Sequence, residues 1–351
     1  MKFRKILFSS LILIILLIVG CIQPEKKENG ITETVKNIPN AISETTSMPV
    51  LSTPTPKSLL GFSLSPKSFE SADFKEFLEK VKLGGRALTW SGDWKQLEFD
   101  DNGAKVISEL CPQYGCEPIG IVQFFTQSDG KLLRPLSAET KQKYTESSVA
   151  FVNKYKPGYF GIGIEINVLY EKSPVDFDEF VAFYAEVYDE VKAVSPNTKI
   201  FTIFQLEKMK GLGGGLFGGE NNPANAQWQL LNKFEKSDMI VFTTYPGLIY
   251  KEPSEIPKDY YSEIKSHTTK PIAFTEIGWH SSASPKGWES SESEQAEFVK
   301  IFFNRTNGFG SEFVIWSFLY DQKTIEPFNS MGLYGTDGNA KLAWKEWLGA
   351  K

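Results

Sequence analysis

Phe160-Gly161-Ile162-Gly163-Ile164-Glu165-Ile166-Asn167 is a short apolar run that alternates between an all-Ile face and a Gly/Gly/Glu/Asn face. Alternation with a period of two belongs to a β-strand. Behind it, Phe177, Phe180, Val181, Tyr184, Val187, Tyr188 and Val191 fall at helical spacing, and a second apolar run follows at residues 199–205. Strand, amphipathic helix and strand in that order form a parallel βαβ unit. Working outward, the same pattern predicts strands at 60–64, 86–90, 118–123, 160–167, 199–205, 239–245, 272–276 and 313–318. Eight is the number that closes a (β/α)8 TIM barrel. Asp176 with Glu179, and Ser291 with Glu294, predict capping boxes, the second followed by the stripe Phe298, Val299, Phe302 and Phe303.

The ends of the barrel region differ in character. Lys2, Arg4 and Lys5 precede an apolar run over 6–19, then Gly20 and Cys21, so residues 1–21 are expected to be an export signal. The run is shorter than the ~20 residues a membrane helix needs, and Ile18-Val19-Gly20-Cys21 resembles the lipobox of prokaryotic lipoproteins, which implies a lipid anchor on Cys21. Residues 22–58 contain no aromatic side chain and are rich in Thr, Ser, Pro, Glu and Lys. Such a segment cannot bury enough apolar surface to fold, and it is expected to be a disordered stalk reaching roughly 30–35 Å. Residues 59–351 remain as the folded domain, expected on the extracellular face of the cell membrane. Cys111 and Cys116 bracket Pro-Gln-Tyr-Gly. Export permits a small-loop disulfide there, and a pair of free thiols is the alternative.

With 38 Lys and Arg against 43 Asp and Glu, the chain has a net charge of -5 and a pI near 5.4. No basic field exists to neutralise phosphates, which excludes nucleic acid as a partner. Neutral or weakly charged ligands fit better. Only 2 His are present, so a Cys/His metal site is not expected. Aromatic residues make up 14% of the chain, including 8 Trp, 13 Tyr and 27 Phe. A large core and sugar-facing platforms both account for that excess.

In a barrel of this type the active site lies at the carboxyl ends of the strands. Two carboxylates stand there. Glu165 ends the fourth strand, and the Ile face of that strand is expected to pack on the helices, leaving Glu165 and Asn167 toward the barrel mouth. Glu276 ends the seventh strand, in Ile272-Ala273-Phe274-Thr275-Glu276-Ile277-Gly278-Trp279.

These two glutamates, together with Ile277-Gly278-Trp279, Tyr245-Pro246 closing the sixth strand and Trp316 on the eighth, resemble clan A of the glycoside hydrolases. Within that clan the chain is similar to the family 53 endo-β-1,4-galactanases. The resemblance extends loosely over 60–348 and is carried by four short motifs. It implies a retaining β-glycanase, metal-free and cofactor-free, acting as a monomer on a polysaccharide or oligosaccharide. Glu165 would be the acid/base and Glu276 the nucleophile, with carboxyl groups ~5–5.5 Å apart. Tyr245 would orient Glu276, Arg86 would keep it ionised, and Trp316 would floor the sugar subsite. Burial would hold Glu165 protonated while Arg86 and Tyr245 favour the charged form of Glu276. The clan has Asn immediately before its acid/base, where this chain has Ile164. Asn167 is the candidate substitute. The alternative that Ile164 raises is a carbohydrate-binding lipoprotein that keeps the cleft with weakened catalysis.

Trp90, Trp94, Trp279 and Trp288 all follow strand ends and are expected to form a sugar-stacking rim. The Gly-rich segment 211–219 lacks the Gly-Lys-Ser/Thr ending of a phosphate loop and is expected to be a loop presenting Phe217 and Trp228. Asp93 and Glu207 are the rival carboxylates, each otherwise a solvated loop charge. His280 beside Glu276 is a further polar candidate, and Asn304-Arg305-Thr306 matches the glycosylation sequon.

Overall fold

The structure, a computed structural model, describes residues 58–350. The export signal with Cys21, and the stalk up to residue 57, lie outside the described residues. Strands β1 (Leu59–Ser63), β2 (Ala87–Asp93), β3 (Glu117–Gln123), β4 (Tyr159–Ile162), β5 (Lys199–Phe201), β6 (Ile203–Gln205), β7 (Ile240–Thr244), β8 (Ile272–Ile277) and β9 (Phe313–Trp316) pair side by side in the order β5-β4-β3-β2-β1-β9-β8-β7-β6. Every pairing is parallel. The first and last strands of that order are two halves of one barrel strand interrupted at Thr202, so the sheet is a ring. At the interruption, Ile203 N–H and Thr202 Oγ1 both donate to Gly163 O, at 3.2 and 3.4 Å. The expected TIM barrel is the observed fold.

Helices α1 (Ser71–Gly84), α2 (Gly103–Tyr114), α3 (Ala138–Tyr155), α4 (Ile166–Lys172), α5 (Pro174–Val194), α6 (Leu206–Met209), α7 (Ile264–His267), α8 (Glu292–Arg305) and α9 (Leu342–Ala350) surround the ring. Ser291 caps α8 by accepting from Glu294 N–H at 3.3 Å, which is one half of the predicted capping box; its Oγ donates to Glu294 Oε2 at 3.2 Å in place of the other half. The other predicted cap is displaced: α5 begins earlier, at Pro174, and Ser173 Oγ donates to Asp176 Oδ2 at 2.6 Å. The α5 stripe buries Phe177, Phe180, Tyr184, Val187 and Val191, each contributing roughly 1.5–3 kcal/mol by leaving water. Helix α2 ends at Gly115, whose φ of 69° is the left-handed conformation glycine adopts without strain. Directly after it, Cys116 is disulfide-bonded to Cys111, S–S 2.23 Å, which decides between the two states left open by the sequence.

Apolar side chains form two separate layers. Inside the ring, Ala87, Ile119, Ile121, Phe201, Ile203, Val241, Ala273, Phe313 and Ile315 make a plug. Outside it, Leu88, Trp90, Phe160, Ile162, Phe204, Phe242, Phe274, Val314 and Trp316 meet the helices. Residues of one strand alternate between these layers, and that parity decides which side chains can reach the barrel mouth.

Candidate active site

Both candidate glutamates reach the mouth because strand parity breaks next to them. In β4, Phe160 and Ile162 face the helices while Gly161 faces inward, where a Cβ would meet Ile121 and Phe201. Gly163 then takes φ 80°, and its own outward side lies against Ile166, Phe180 and Phe124. Ile164 is thereby turned into the plug, packed with Ile119, Ile121 and Ile203. This corrects the expectation that Ile164 faces the helix layer; Ile162 and Ile166 do. Glu165 follows with φ 54°, a second left-handed residue, and stands at the mouth. In β8 the pairing with β7 slips, Phe242 facing Phe274 but Thr243 facing Glu276. Thr275 is the extra residue of this irregularity, which re-aims Glu276 onto the inward register of Thr243.

Glu165 is buried, 3% exposed. Its Oε1 accepts from Thr243 Oγ1 at 2.7 Å and from Gln205 Nε2 at 3.3 Å, while its Oε2 is buried without a partner among the described residues. Burial, and then the neighbouring Glu276 carboxylate, push its pKa up to about 8 against the opposing bond from Thr243. Glu165 is therefore protonated at neutral pH. Its backbone is held too, because Gln123 donates through Nε2 to Ile164 O at 3.1 Å and accepts from Ile164 N–H at 3.3 Å.

Glu276 is half-buried. Tyr245 Oη donates to its Oε2 at 2.5 Å and lies 2.8 Å from Ser317 Oγ. Burial raises the Glu276 pKa and the Tyr245 hydrogen bond pulls it down. The carboxylate borders a cavity of about 60 Å³ lined also by Ser63, Thr89, Trp90, Ser91, Ser317, Leu64 and Phe318. Both hydroxyl-bearing and apolar residues line this cavity, and no cationic side chain of the described residues does. Of the candidate site residues, Glu165, Glu276 and Tyr245 are brought together at one barrel end.

Of the remaining candidates Trp90 lines the cavity, although its indole is turned outward, and most of the others lie away from it. Arg86 is exposed and precedes β2, at the amino end of the barrel, so it does not approach Glu276. The seven residues of β2 separate the two ends by roughly 3.3 Å each. Trp316 is fully buried in the helix layer, its Nε1 donating to Met331 O at 2.8 Å, and is no floor for a sugar. The next residues, Ser317 and Phe318, line the cavity instead. Trp90 is 2% exposed, its indole packed against Gly92 and Gly103. Trp94 packs on Tyr144, centroids 5.3 Å apart, and Trp279 on Phe298 at 5.4 Å, both buried. Only Trp288 of the expected rim remains half-exposed, with its Nε1 bonded to Gly247 O at 2.5 Å. The parity of β2 and β9 was the signal that placed Trp90 and Trp316 outward.

Asn167 is fully buried in α4, donating to Gln205 O and Gln227 Oε1, both at 3.0 Å, and accepting from Gln205 N–H at 2.9 Å. Those bonds use its amide, so it does not replace the missing Asn at the cleft. Glu207 is neither solvated nor in the cleft: its buried Oε1 accepts from Thr244, Tyr245 N–H and Tyr260. Asp93 forms a two-pronged pair with Arg134 at 2.8 and 2.7 Å. His280 is buried with Nε2 2.9 Å from Trp288 O, and burial lowers its pKa. Trp228 stacks on His267, centroids 4.2 Å apart, rather than facing a ligand. Phe217 of the Gly-rich loop does approach the mouth, half-buried against the cluster of Tyr245, Leu248, Phe318 and Phe328. Gln205, Thr243 and Ser317 were missed from sequence; each continues the inward parity of its strand. Among the described residues no group of three or more His, Cys, Asp or Glu is placed to hold a metal ion.

No protein-family model matches the chain, and no curated protein matches it. Solved structures do. Xylanase 10B from Thermotoga maritima superposes with a TM-score of 0.60 at 13% identity, covering 84% of this chain and 95% of that one. A family 39 glycoside hydrolase from Bacteroides cellulosilyticus has a TM-score of 0.60 at 14% identity, covering 84% of this chain and 64% of its own. A variant of a family 5 glycoside hydrolase from Bifidobacterium longum, in complex with Manβ1-4GlcNAc, has a TM-score of 0.60 at 12% identity, covering 83% of this chain and 77% of its own. The barrel is shared with glycoside hydrolases. At these identities the likeness is one of fold.

Proposed function

We propose that this chain is an extracytoplasmic retaining β-glycoside hydrolase, an endo-β-glycanase of galactanase-like type anchored to the membrane through Cys21. The observation that carries the reading is the pairing of two carboxyl groups at one barrel mouth: Glu165 buried, its pKa raised to about 8, and Glu276 beside a cavity, raised by burial but pulled back by the Tyr245 phenol. Pairs of carboxyls with separated proton affinities supply an acid and a nucleophile at one pH. Glu276 attacks the anomeric carbon through the oxygen that Tyr245 leaves free. As the bond to the leaving oxygen breaks, Glu165 gives that oxygen its proton, and a glycosyl ester of Glu276 results. Water then attacks the same carbon, Glu165 takes its proton, and Glu276 is released.

The test is reducing-end release from β-linked galactan, xylan, mannan and glucan, with Glu165→Gln and Glu276→Gln as controls. Turnover of any one, lost in Glu276→Gln, supports the reading; wild-type turnover that survives Glu276→Gln sinks it. Partition of the wild type with membranes, abolished in Cys21→Ser, tests the anchor, and an unmodified Cys21 in the mature protein's mass refutes it. A second reading, a carbohydrate-binding protein, is favoured by Ile164 in the apolar plug, where the clan's Asn would stand. Glycan binding without turnover, abolished by Phe318→Ala, selects it.

A further inference from the structure

Around Glu165 four buried polar side chains close a circuit. Thr243 Oγ1 and Gln205 Nε2 both donate to Glu165 Oε1, at 2.7 and 3.3 Å, and Oε2 is left buried with no partner among the described residues. Two donors on one oxygen and none on the other is an asymmetric arrangement. Gln205 is itself gripped: Asn167 accepts from its N–H at 2.9 Å and donates to its C=O at 3.0 Å. Asn167 is held in turn by Gln227 Oε1 at 3.0 Å, and Gln227 Nε2 is bonded to Glu171 Oε1 at 2.7 Å. Asn167 follows Glu165 closely in the chain, so the turn that aims the carboxyl and the strand that holds it are locked to each other.

We propose that Thr243 and Gln205 are positioning residues that fix Oε1 of Glu165 as a permanent acceptor, so that Oε2, now sealed from solvent and exposed only when substrate enters beside it, carries the proton exchanged with substrate, and that Asn167 sets Gln205 for this task. The assignment rests on the hydrolase reading above. In the first step the Oε2–H bond breaks as the leaving oxygen gains the proton, and the new carboxylate keeps both donors on Oε1. In the second step Oε2 takes a proton from the attacking water. Without the donors either oxygen carries the proton and the carboxyl turns freely about its last bond, so less of the enzyme holds a proton facing the substrate.

The experiment compares Thr243→Val, Gln205→Leu and the conservative Thr243→Ser with wild type, after melting curves confirm folding. The probes are 2,4-dinitrophenyl and phenyl β-glycosides of galactose, xylose and mannose. A phenol leaving group needs proton donation and a dinitrophenol does not. Thr243→Val and Gln205→Leu are expected to lose about tenfold or more in kcat/KM on the phenyl glycoside and less than about twofold on the dinitrophenyl one. Thr243→Ser is expected to retain both. Because the lost donors favour the charged form, the basic limb of the pH profile is expected to move to higher pH. Equal losses on both probes, or an unmoved limb, overturn the proposal. A second measurement needs no turnover: the carboxyl carbon resonance of Glu165, assigned by its loss in Glu165→Gln, is expected to titrate at higher pH in Thr243→Val than in wild type or Thr243→Ser. An unmoved titration overturns the positioning role by itself. If wild type cleaves neither these probes nor the polysaccharides above, the hydrolase reading falls while the carbon titration still judges the positioning.

Discussion

Glu276 meets Tyr245 through one short hydrogen bond, 2.5 Å from Oη to Oε2, and no cationic side chain of the described residues lines its cavity. The phenol is thus the group that opposes the effect of burial on Glu276. Its loss has a direction that follows from the charge. Tyr245→Phe removes a donor that favours the ionised carboxylate, so the Glu276 pKa rises and the acidic limb of kcat/KM moves to higher pH. A hydrogen bond to a charged group is worth about 1.5–3 kcal/mol, which corresponds to a shift of roughly one to two pH units. An acidic limb that stays put, measured over a full profile, removes Tyr245 from this role. Ile164 yields the opposite kind of prediction. It lies 3% exposed among Ile119, Ile121 and Ile203, so Ile164→Asn buries an amide without partners, at a cost of ~1–3 kcal/mol. The expected result is a lowered Tm with no gain in kcat. A rate gain with Tm retained contradicts the inward placement.

At the scale of elements, two local irregularities do what side-chain chemistry alone does not. Gly163 holds φ 80°, and a Cβ there would lie 2.7 Å from Ile166 Cγ2. Gly163→Ala combines a left-handed backbone, costing roughly 1–2 kcal/mol for a residue with a Cβ, with that contact. Calorimetry is expected to show a Tm lower by several degrees, at roughly 2–4 °C per kcal/mol for a domain somewhat smaller than this one. Relief of the strain by return to strand geometry would re-aim Glu165, so kcat on a phenyl glycoside is expected to fall more than on a dinitrophenyl one. A variant as stable and as active as wild type would show that the turn is not needed. The slip between β7 and β8, with Thr275 as the extra residue, is the counterpart for Glu276.

For the molecule as a whole, Glu165 ties stability to pH. Its pKa is about 8 in the fold against 4.5 for an unperturbed carboxyl. Between those values the folded protein holds a proton that the unfolded chain releases, so stability is fully present below pH 4.5 and declines as pH rises toward 8. Removing Glu165 removes its share of the decline, while Glu207 and Glu276, also raised by burial, keep theirs. Glu165→Gln is expected to match wild type at pH 4.5 and to exceed it by a few kcal/mol at pH 8, read from urea melts at both pH values. A gap that does not widen with pH contradicts a buried, protonated Glu165. Loss of activity with gain of stability is the expected behaviour of a group kept in place for chemistry.

The sequence by itself determined the barrel and the positions of its two mouth carboxylates. Strand runs such as 272–276, alternating with helical stripes such as that of α5, admit parallel pairing and little else, because their apolar periods require burial on both faces of the sheet. Glu165, Glu276 and Tyr245 were legible because each ends a strand, where a barrel gathers its chemistry. Trp90 and Trp316 were legible in principle, since strict alternation within β2 and β9 sends both to the helices. What only the tertiary structure decided is which way the strand ends turn. Gly163 and Glu165 in left-handed conformations, and the register slip at Thr275, depend on packing against Phe124, Phe180 and the neighbouring strand β7. Asn167 and Glu207 were misassigned for the same reason, whereas Arg86 simply precedes its strand and so lies at the barrel's amino end. A polar residue near a strand end is committed by partners distant in the chain, such as Gln205 for Asn167 and Tyr260 for Glu207, and local pattern carries no record of them.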